Sequence, residues 1–496
     1  MKSTVILTFL LGTFIVACST TDSDRTEPNP NLAVTIEASP LQTELPSLIA
    51  TRDINETKDP LSTSLLTTPT SAPVPTINPT QLPDVAPTRE VTEFFKPKDY
   101  SEFDSNLQAL FQSAVDNEFV ALEEKSGLSI AVYTEGKTWT YAMGEADSNV
   151  EMMVNTPLMV SSSSKTFLSA LILSQIEMGF YKLTDSLETL LENHPDFALF
   201  ELDKVNLEVT IEQLLTMSSG MADFSHNMAG KSGSYKEPTW SPFDTVNLIQ
   251  SAYSPPGKFQ YNDTNVVLLA IVAEFFAEEP LADLYRKEFL TPLNMTAVIL
   301  PEEGIAWHPN LFNDRAEGFT SPRIAMPYTD VSSWGGTGFG NMIQTAPFEL
   351  GYYLGAVGRL RYACCGFIST PENVARWAYE LYRPTGLAVS ESVRSQLLNS
   401  FSPERVPAWG VTGESYGYFV SKRTFKLSDS RIITAYGHPG GGGGFSSVML
   451  YSPELDLSVS ILANSEMSFR GVCGPEKSMN CIASEIFSAY SLTENH

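Results

Sequence analysis

The chain has 496 residues and a formal net charge of −27 at pH 7, and no basic run interrupts that acidity. This argues against nucleic acid and other polyanions as partners and otherwise says little beyond solubility. Apolar residues make up 43% of the sequence, enough for a large core, and the length exceeds that of one ordinary domain.

The chain opens with Lys2, an apolar run from Val5 to Val16, and then Ala17-Cys18. A charged start followed by a short apolar run reads as an export signal, because the run is too short to cross a bilayer as a mature helix. The Ile-Val-Ala-Cys ending resembles a bacterial lipoprotein signal, which implies cleavage before Cys18 and lipid on its thiol; plain secretion is the alternative. Residues 19–98 are rich in Thr, Pro, Ser and Asn, have few aromatics and no sustained period, and cannot bury a core. As a semi-flexible linker such a segment reaches about 50 Å, so it is expected to act as a tether. The expected organisation is a signal at 1–18, a linker at 19–98 and one globular unit at 99–496.

In the globular part, Leu107, Leu110, Phe111, Val115, Phe119 and Leu122 share one face of an expected helix over 104–123. Residues 128–133 and 138–143, joined by Glu135-Gly136-Lys137, read as a hairpin. A helix is expected from Ser162, followed by mainly helical chain to about residue 400, with helix signals at 211–216, 243–252, 265–276 and 280–290. Ser369-Thr370-Pro371-Glu372 is a helix start with a hydroxyl cap. Strands return at 416–421, 431–436, 446–451 and 457–463, and a helix over 483–490 closes the chain. Strands at both ends with helices between imply one sheet assembled from distant parts of the chain.

Three segments carry chemistry. In Ser162-Ser163-Ser164-Lys165 a hydroxyl and an amine lie three residues apart on one helix face, so the amine can take the hydroxyl proton. A serine at a helix start also has free backbone N–H groups near a developing oxyanion. Tyr261-Asn262-Asp263 puts a phenol on a loop that enters an apolar helix. His438-Pro439-Gly440 leads into a glycine run that weakens a strand yet lets a ligand backbone come close; a plain loop is the competing reading. The five cysteines, Cys18, Cys364, Cys365, Cys473 and Cys481, include no C-x-x-C, and the five histidines have no ligand spacing, so no metal and no cofactor is expected. Cys473 and Cys481 can close a small loop in an exported protein, or pair instead with Cys364 and Cys365.

In order and spacing these segments resemble the penicillin-recognising serine hydrolases: class C β-lactamases, D-alanyl-D-alanine carboxypeptidases and related esterases. The resemblance spans about residues 102–490. Leu214-Leu215-Thr216-Met217-Ser218-Ser219-Gly220-Met221 is similar to L-L-T-H-T-S-G-L, and Phe259-Gln260-Tyr261-Asn262-Asp263-Thr264-Asn265 to F-x-Y-S-D-T-N. Thr291-Pro292-Leu293-Asn294-Met295 is similar to P-L-G-M, residues 366–377 to G-x-x-S-T-x-x-D-x-A-R-W, and residues 436–445 to the G-H-x-G segment.

The resemblance implies an α/β fold, an antiparallel sheet flanked by helices with an inserted mainly helical lobe. It implies a covalent acyl-enzyme on Ser162, with Lys165 as base, its pKa lowered by desolvation, and Tyr261 sharing the proton traffic. The N–H groups of Ser162 and Gly441 would form the oxyanion hole, and Asp263, His438 and Gly440 would complete the substrate site. Two departures are evident: Asp263 stands where Y-x-N members carry asparagine, and His438 stands where K-T-G members carry lysine. A neutral histidine binds a carboxylate less firmly than lysine, which weakens the case for a dedicated β-lactamase. The resulting expectation is an exported, lipid-anchored hydrolase at the periplasm or cell surface, acting on a small peptide or ester. D-alanyl-D-alanine peptidoglycan stem peptides are the first substrate choice, a carboxylic ester the second, and a catalytically silent peptide receptor the alternative.

Overall fold

The computed structural model describes residues 101–119, 126–147, 149–226, 240–295, 325, 362–407, 413–442, 444–465, 467 and 479–493. All of them belong to one compact unit, Pro83–His496. Cys18, the linker and Cys473 lie outside the described residues, as do His308, His496 and most of residues 296–361.

The strands are β1 (Leu128–Thr134), β2 (Lys137–Met143), β3 (Glu145–Asp147), β4 (Val150–Glu151), β5 (Leu158–Met159) and β6 (Ile368–Ser369), then β7 (Ser415–Tyr416), β8 (Ser421–Lys426), β9 (Ile432–Gly442), β10 (Phe445–Ser452) and β11 (Leu457–Ala463). Seven of them form one antiparallel sheet in the order β2-β1-β11-β10-β9-β8-β7. The first hairpin of the globular unit therefore pairs with the last strand of the chain, Ile130 opposite Ile461. β10 and β11 are buried along their whole length because both faces of the sheet are covered, their serines included.

Side chains alternate between the two faces with the period of a strand. Ile130, Val132, Val459 and Ile461 point to the rear, against α1 (Ser105–Phe119) and a C-terminal helix, Met479–Thr493. There Phe111 meets Phe103 and Trp139 at ring-centroid distances of 5.5 and 5.4 Å. Ala131, Tyr133 and Leu462 point to the front. The front carries α2 (Lys165–Glu177), α3 (Leu187–Leu191), α4 (Ile211–Leu215), α5 (Pro242–Val246), α6 (Asp263–Ala277), α7 (Leu281–Tyr285), α8 (Pro371–Tyr382) and α9 (Glu391–Asn399); the rear C-terminal helix is then α10. α2 and α8 are joined by Trp377 stacked on Phe167, 3.7 Å between centroids and 7° between planes. This is the α/β arrangement that the sequence implies.

Four local expectations change. The strand expected over 416–421 is instead a turn between β7 and β8, because the Tyr418 N–H bonds the Ser400 hydroxyl at 2.9 Å and Phe419 adopts a left-handed φ of 55°. Of the two readings of the glycine run, the strand holds rather than the loop: β9 continues through Gly442, with Gly440, Gly441 and Gly442 in register with β10. The helix expected over 243–252 stops at Val246, and the one expected over 280–290 changes to a wider π-type turn at Arg286–Leu290. Thr370 stands at the start of α8 in extended conformation, yet its hydroxyl accepts from the Asn373 side chain and not from the backbone.

Candidate active site

Ser162 sits in a tight turn, Ser161–Ser164, that feeds directly into α2. Ser161 takes a left-handed φ of 48°, a strained geometry for a residue with a side chain, and the surroundings hold it there. Ser163 donates to the His438 carbonyl at 2.9 Å and shares a 3.0 Å bond with the Ser447 hydroxyl, which donates to the Val160 carbonyl at 2.7 Å. Thr166 receives the Trp377 indole N–H at 2.9 Å. Sheet and α8 thus clamp both ends of the turn, and of its four serines only Ser162 reaches the surface. That exposure selects the Ser162–Lys165 register from the several that a run of serines permits.

The second arm is the start of α6. Asn262 caps it, accepting from the Thr264 N–H at 2.7 Å, and its amide reaches back to the Met221 carbonyl at 2.5 Å. Ser219 donates to Asn265 at 2.6 Å, and Thr264 exchanges bonds with Phe224 and Ala222 at 3.0 and 2.9 Å. Gly220 is needed for this approach: its φ is 76°, and a Cβ there would lie 2.2 Å from the Ser254 carbonyl. The segment 214–221 is therefore a brace that fixes where Tyr261 and Asp263 project.

The arms meet at Lys165, whose side chain is fully buried. Its ammonium donates to Ser162 Oγ at 2.8 Å and to the Cys364 carbonyl at 3.0 Å, and it pairs with Asp263 Oδ1 at 2.8 Å. It lies 5.1 Å from the Tyr261 ring centre. Here the expectation of a lowered lysine pKa is corrected. Burial does push it down, but the Asp263 carboxylate, followed by smaller contributions from Cys365, Tyr261 and Cys364, outweighs burial and holds it well above the ordinary range. Lys165 rests as a cation because Asp263 replaces the neutral amide of Y-x-N members. Tyr261 is raised too, mainly by burial, against the lowering influence of Lys165, so its phenol keeps its proton at neutral pH and serves as a donor.

β9 forms the far wall. Gly440 passes so close to the serine turn that a Cβ would lie 2.4 Å from both the Val160 carbonyl and Ser447 Oγ, and 3.0 Å from the Ser162 nitrogen. Gly441 follows, paired with Ser446. The His438 ring, 1% exposed, stands 6.1 Å from the Tyr261 ring. Its Nδ1 faces the Pro439 carbonyl at 2.5 Å, which can only accept, so Nδ1 carries the proton and Nε2 accepts from the Tyr416 hydroxyl at 2.8 Å. Burial, then the charge of Lys165, holds its pKa well below the usual histidine range. His438 is therefore neutral, with both nitrogens engaged inside the protein.

The structure thus brings Ser162, Lys165, Tyr261, Asp263, His438 and Gly440 around one centre, the chemistry for attack on a carbonyl and transfer of a proton. Two participants escape sequence reasoning. Cys365 Sγ lies 3.6 Å from Ser162 Oγ, 3.6 Å from Lys165 Nζ and 3.8 Å from Asp263 Oδ2. Asp223 accepts from the Asp263 N–H at 3.3 Å, and burial together with the Asp263 charge raises its pKa. The available signals were weak: Cys364-Cys365 abuts the segment at 366–377, and Asp223 follows the segment at 214–221.

Residues 115–474 match the family described as Beta-lactamase. Among solved structures, the chain is similar to D-amino acid amidase from Ochrobactrum anthropi SV3, at 18% identity and a TM-score of 0.58 over 79% of this chain and 100% of that one. It is also similar to the octameric penicillin-binding protein homologue from Pyrococcus abyssi, at 18% identity and 0.54 over 78% and 77%. At such identities these likenesses concern the fold. A curated relative is the unguisins hydrolase of Aspergillus violaceofuscus, 22% identical over 365 residues; the match covers 70% of this chain but only 60% of the relative. With a family match over most of its length and a serine–lysine centre on that fold, the chain belongs to the beta-lactamase family of serine hydrolases.

Proposed function

We propose that the protein hydrolyses amide bonds with neutral leaving groups through an acyl-enzyme on Ser162, with proton traffic running along Ser162, Lys165 and Asp263. The observation that carries this is Lys165 Nζ at 2.8 Å from both Ser162 Oγ and Asp263 Oδ1. A resting ammonium cannot accept the serine proton. It can do so once it passes its own proton to Asp263, and the ion pair and its neutral tautomer hold the same number of protons. Substrate that displaces water from the cleft favours the neutral tautomer, because two buried charges then lose solvation. Ser162 Oγ bonds to the carbonyl carbon, the amine leaves with a proton from the Tyr261 side of the cluster, and water releases the acyl group. Backbone N–H groups of Ser162 and Gly441 would hold the oxyanion.

The leaving-group preference rests on His438. Neutral and internally bonded, it offers no cation to a terminal carboxylate, which disfavours a D-alanyl-D-alanine carboxypeptidase relative to an amidase. Similarity to D-amino acid amidases supports a D-configured residue on the acyl side, and similarity to the unguisins hydrolase supports a hydrolytic reaction. The test compares a D-phenylalanyl amide, a D-alanyl-D-alanine peptide with free and with amidated terminus, and a p-nitrophenyl ester. Amide turnover exceeding that of the free acid, and falling at least about 10⁴-fold in Ser162→Ala, is expected. Preference for the free carboxylate would restore the carboxypeptidase, and turnover of the ester alone would make the protein an esterase. We further propose that the protein is exported and anchored through lipid on Cys18; radiolabelled palmitate should mark the wild type and spare Cys18→Ser.

A further inference from the structure

We propose that Cys364, Cys365 and Asp263 bind one thiophilic divalent cation of the zinc type beside Ser162. The two sulfurs and a carboxylate oxygen lie within 4.8 Å of one another. A four-coordinate zinc, with Zn–S of about 2.3 Å and Zn–O of about 2.0–2.2 Å, sets its donors about 3.5–3.8 Å apart. Cys365 Sγ and Asp263 Oδ2 already stand at 3.8 Å, so small side-chain rotations complete the set.

The division of labour at Asp263 makes room for the ion. Oδ1 holds Lys165, whereas Oδ2 faces the Cys365 thiol, so a metal takes the place of the thiol proton without breaking the ion pair. Binding breaks two S–H bonds, forms two metal–sulfur bonds and releases two protons to solvent. Two thiolates and the carboxylate carry three negative charges. The divalent cation and the Lys165 ammonium balance them, as a buried site requires. Ser162 Oγ stands 3.6 Å from Cys365 Sγ, so the ion would sit next to the nucleophile. Acyl transfer needs neither thiol, so this site lies beyond the hydrolase reading. A scan for regular ligand spacing misses it, because a vicinal cysteine pair meets a carboxylate from a distant helix.

Cobalt(II) titrated into the reduced, full-length protein tests the site by absorbance, independently of any hydrolysis. A thiolate-to-cobalt charge-transfer band should grow to one equivalent and disappear when zinc is added. Losing an outer partner of a metal ligand costs about 10–100-fold in affinity, so losing a ligand in Cys364→Ser or Cys365→Ser should weaken binding at least about 100-fold. Cys481→Ser should bind as the wild type does, with circular dichroism confirming the fold of each variant. Absence of the band from the wild type at excess cobalt would overturn the proposal. So would a band that survives replacement of both Cys364 and Cys365.

Discussion

The two faces of the sheet are built from the same strands yet solve different problems. Behind it, Phe103, Phe111, Trp139, Ile130, Val459 and Ile461 pack against α1 and α10 in an apolar layer. In front, the buried surface around the serine turn includes Ser163, Lys165, Asp263, His438 and Ser447, each tied to a named partner. Apolar burial is non-directional and tolerates exchange among similar side chains, whereas a buried charge is stable only with its counter-charge at contact. The rear therefore supplies stability, and the front turns part of it into a fixed arrangement of proton donors and acceptors.

Four substitutions or conditions sharpen that contrast. The largest effect is expected from Asp263→Asn, which leaves Lys165 without a group to take its proton. Neutral-pH kcat/KM should fall by about 10²–10⁴. The sign of the pH effect follows from the raised pKa of Lys165. In the wild type the pair works as an ion pair well below that value; in the variant burial acts on Lys165 without its main opposing charge and lowers its pKa, so the variant works only through the free amine and its activity rises with pH through that lowered value. Faster turnover at neutral pH in the variant would sink the relay. On the rear face, Phe111→Ala should cost about 3–5 kcal/mol in urea unfolding, with unchanged kcat in the folded fraction; a fall in kcat would show that the faces are not separable.

Gly440→Ala combines both faces of the argument, since the added methyl meets the Val160 carbonyl and Ser447 Oγ at 2.4 Å. It should cost about 1–3 kcal/mol and lower kcat as well, because the same shift displaces the Ser162 turn; wild-type kcat would show that β9 does not set the position of Ser162. The smallest effect concerns His438. Its native pKa is depressed, so below about pH 6.5 the unfolded chain binds a proton that the native protein refuses. Stability should then decline by up to about 1.4 kcal/mol per pH unit as the pH falls, and be regained as it rises toward neutrality. Urea midpoints between pH 7.5 and 5.5 should show a shallower decline in His438→Gln, and an equal decline would refute the assignment.

Much of this was legible beforehand because it is local. Ser162 and Lys165 lie three residues apart, the strand at 457–463 alternates with period two, and Asn262 precedes an apolar helix whose cap it becomes. Patterns of this kind depend on helix and strand geometry, which a linear chain carries with it. The charge of Lys165 was not legible, for it depends on whether Asp263 or the low dielectric prevails, and both act through distance. Cys365 was invisible for the same reason: no spacing in the chain announces that its thiol stands 3.6 Å from Ser162. Nor could the glycine run by itself decide between strand and loop, because only its pairing with β10 and its contact with the serine turn make it a strand.

By itself, then, the sequence determined which residue types sit at which local periods, and with them the strands, the caps and the serine–lysine pair. Tertiary structure alone decided the protonation of that pair, the seating of β9 against Ser162 and the company of Cys365. Those properties arise from Coulomb interaction and close packing between segments far apart in the chain, and such forces depend on separation in space rather than on order along the backbone.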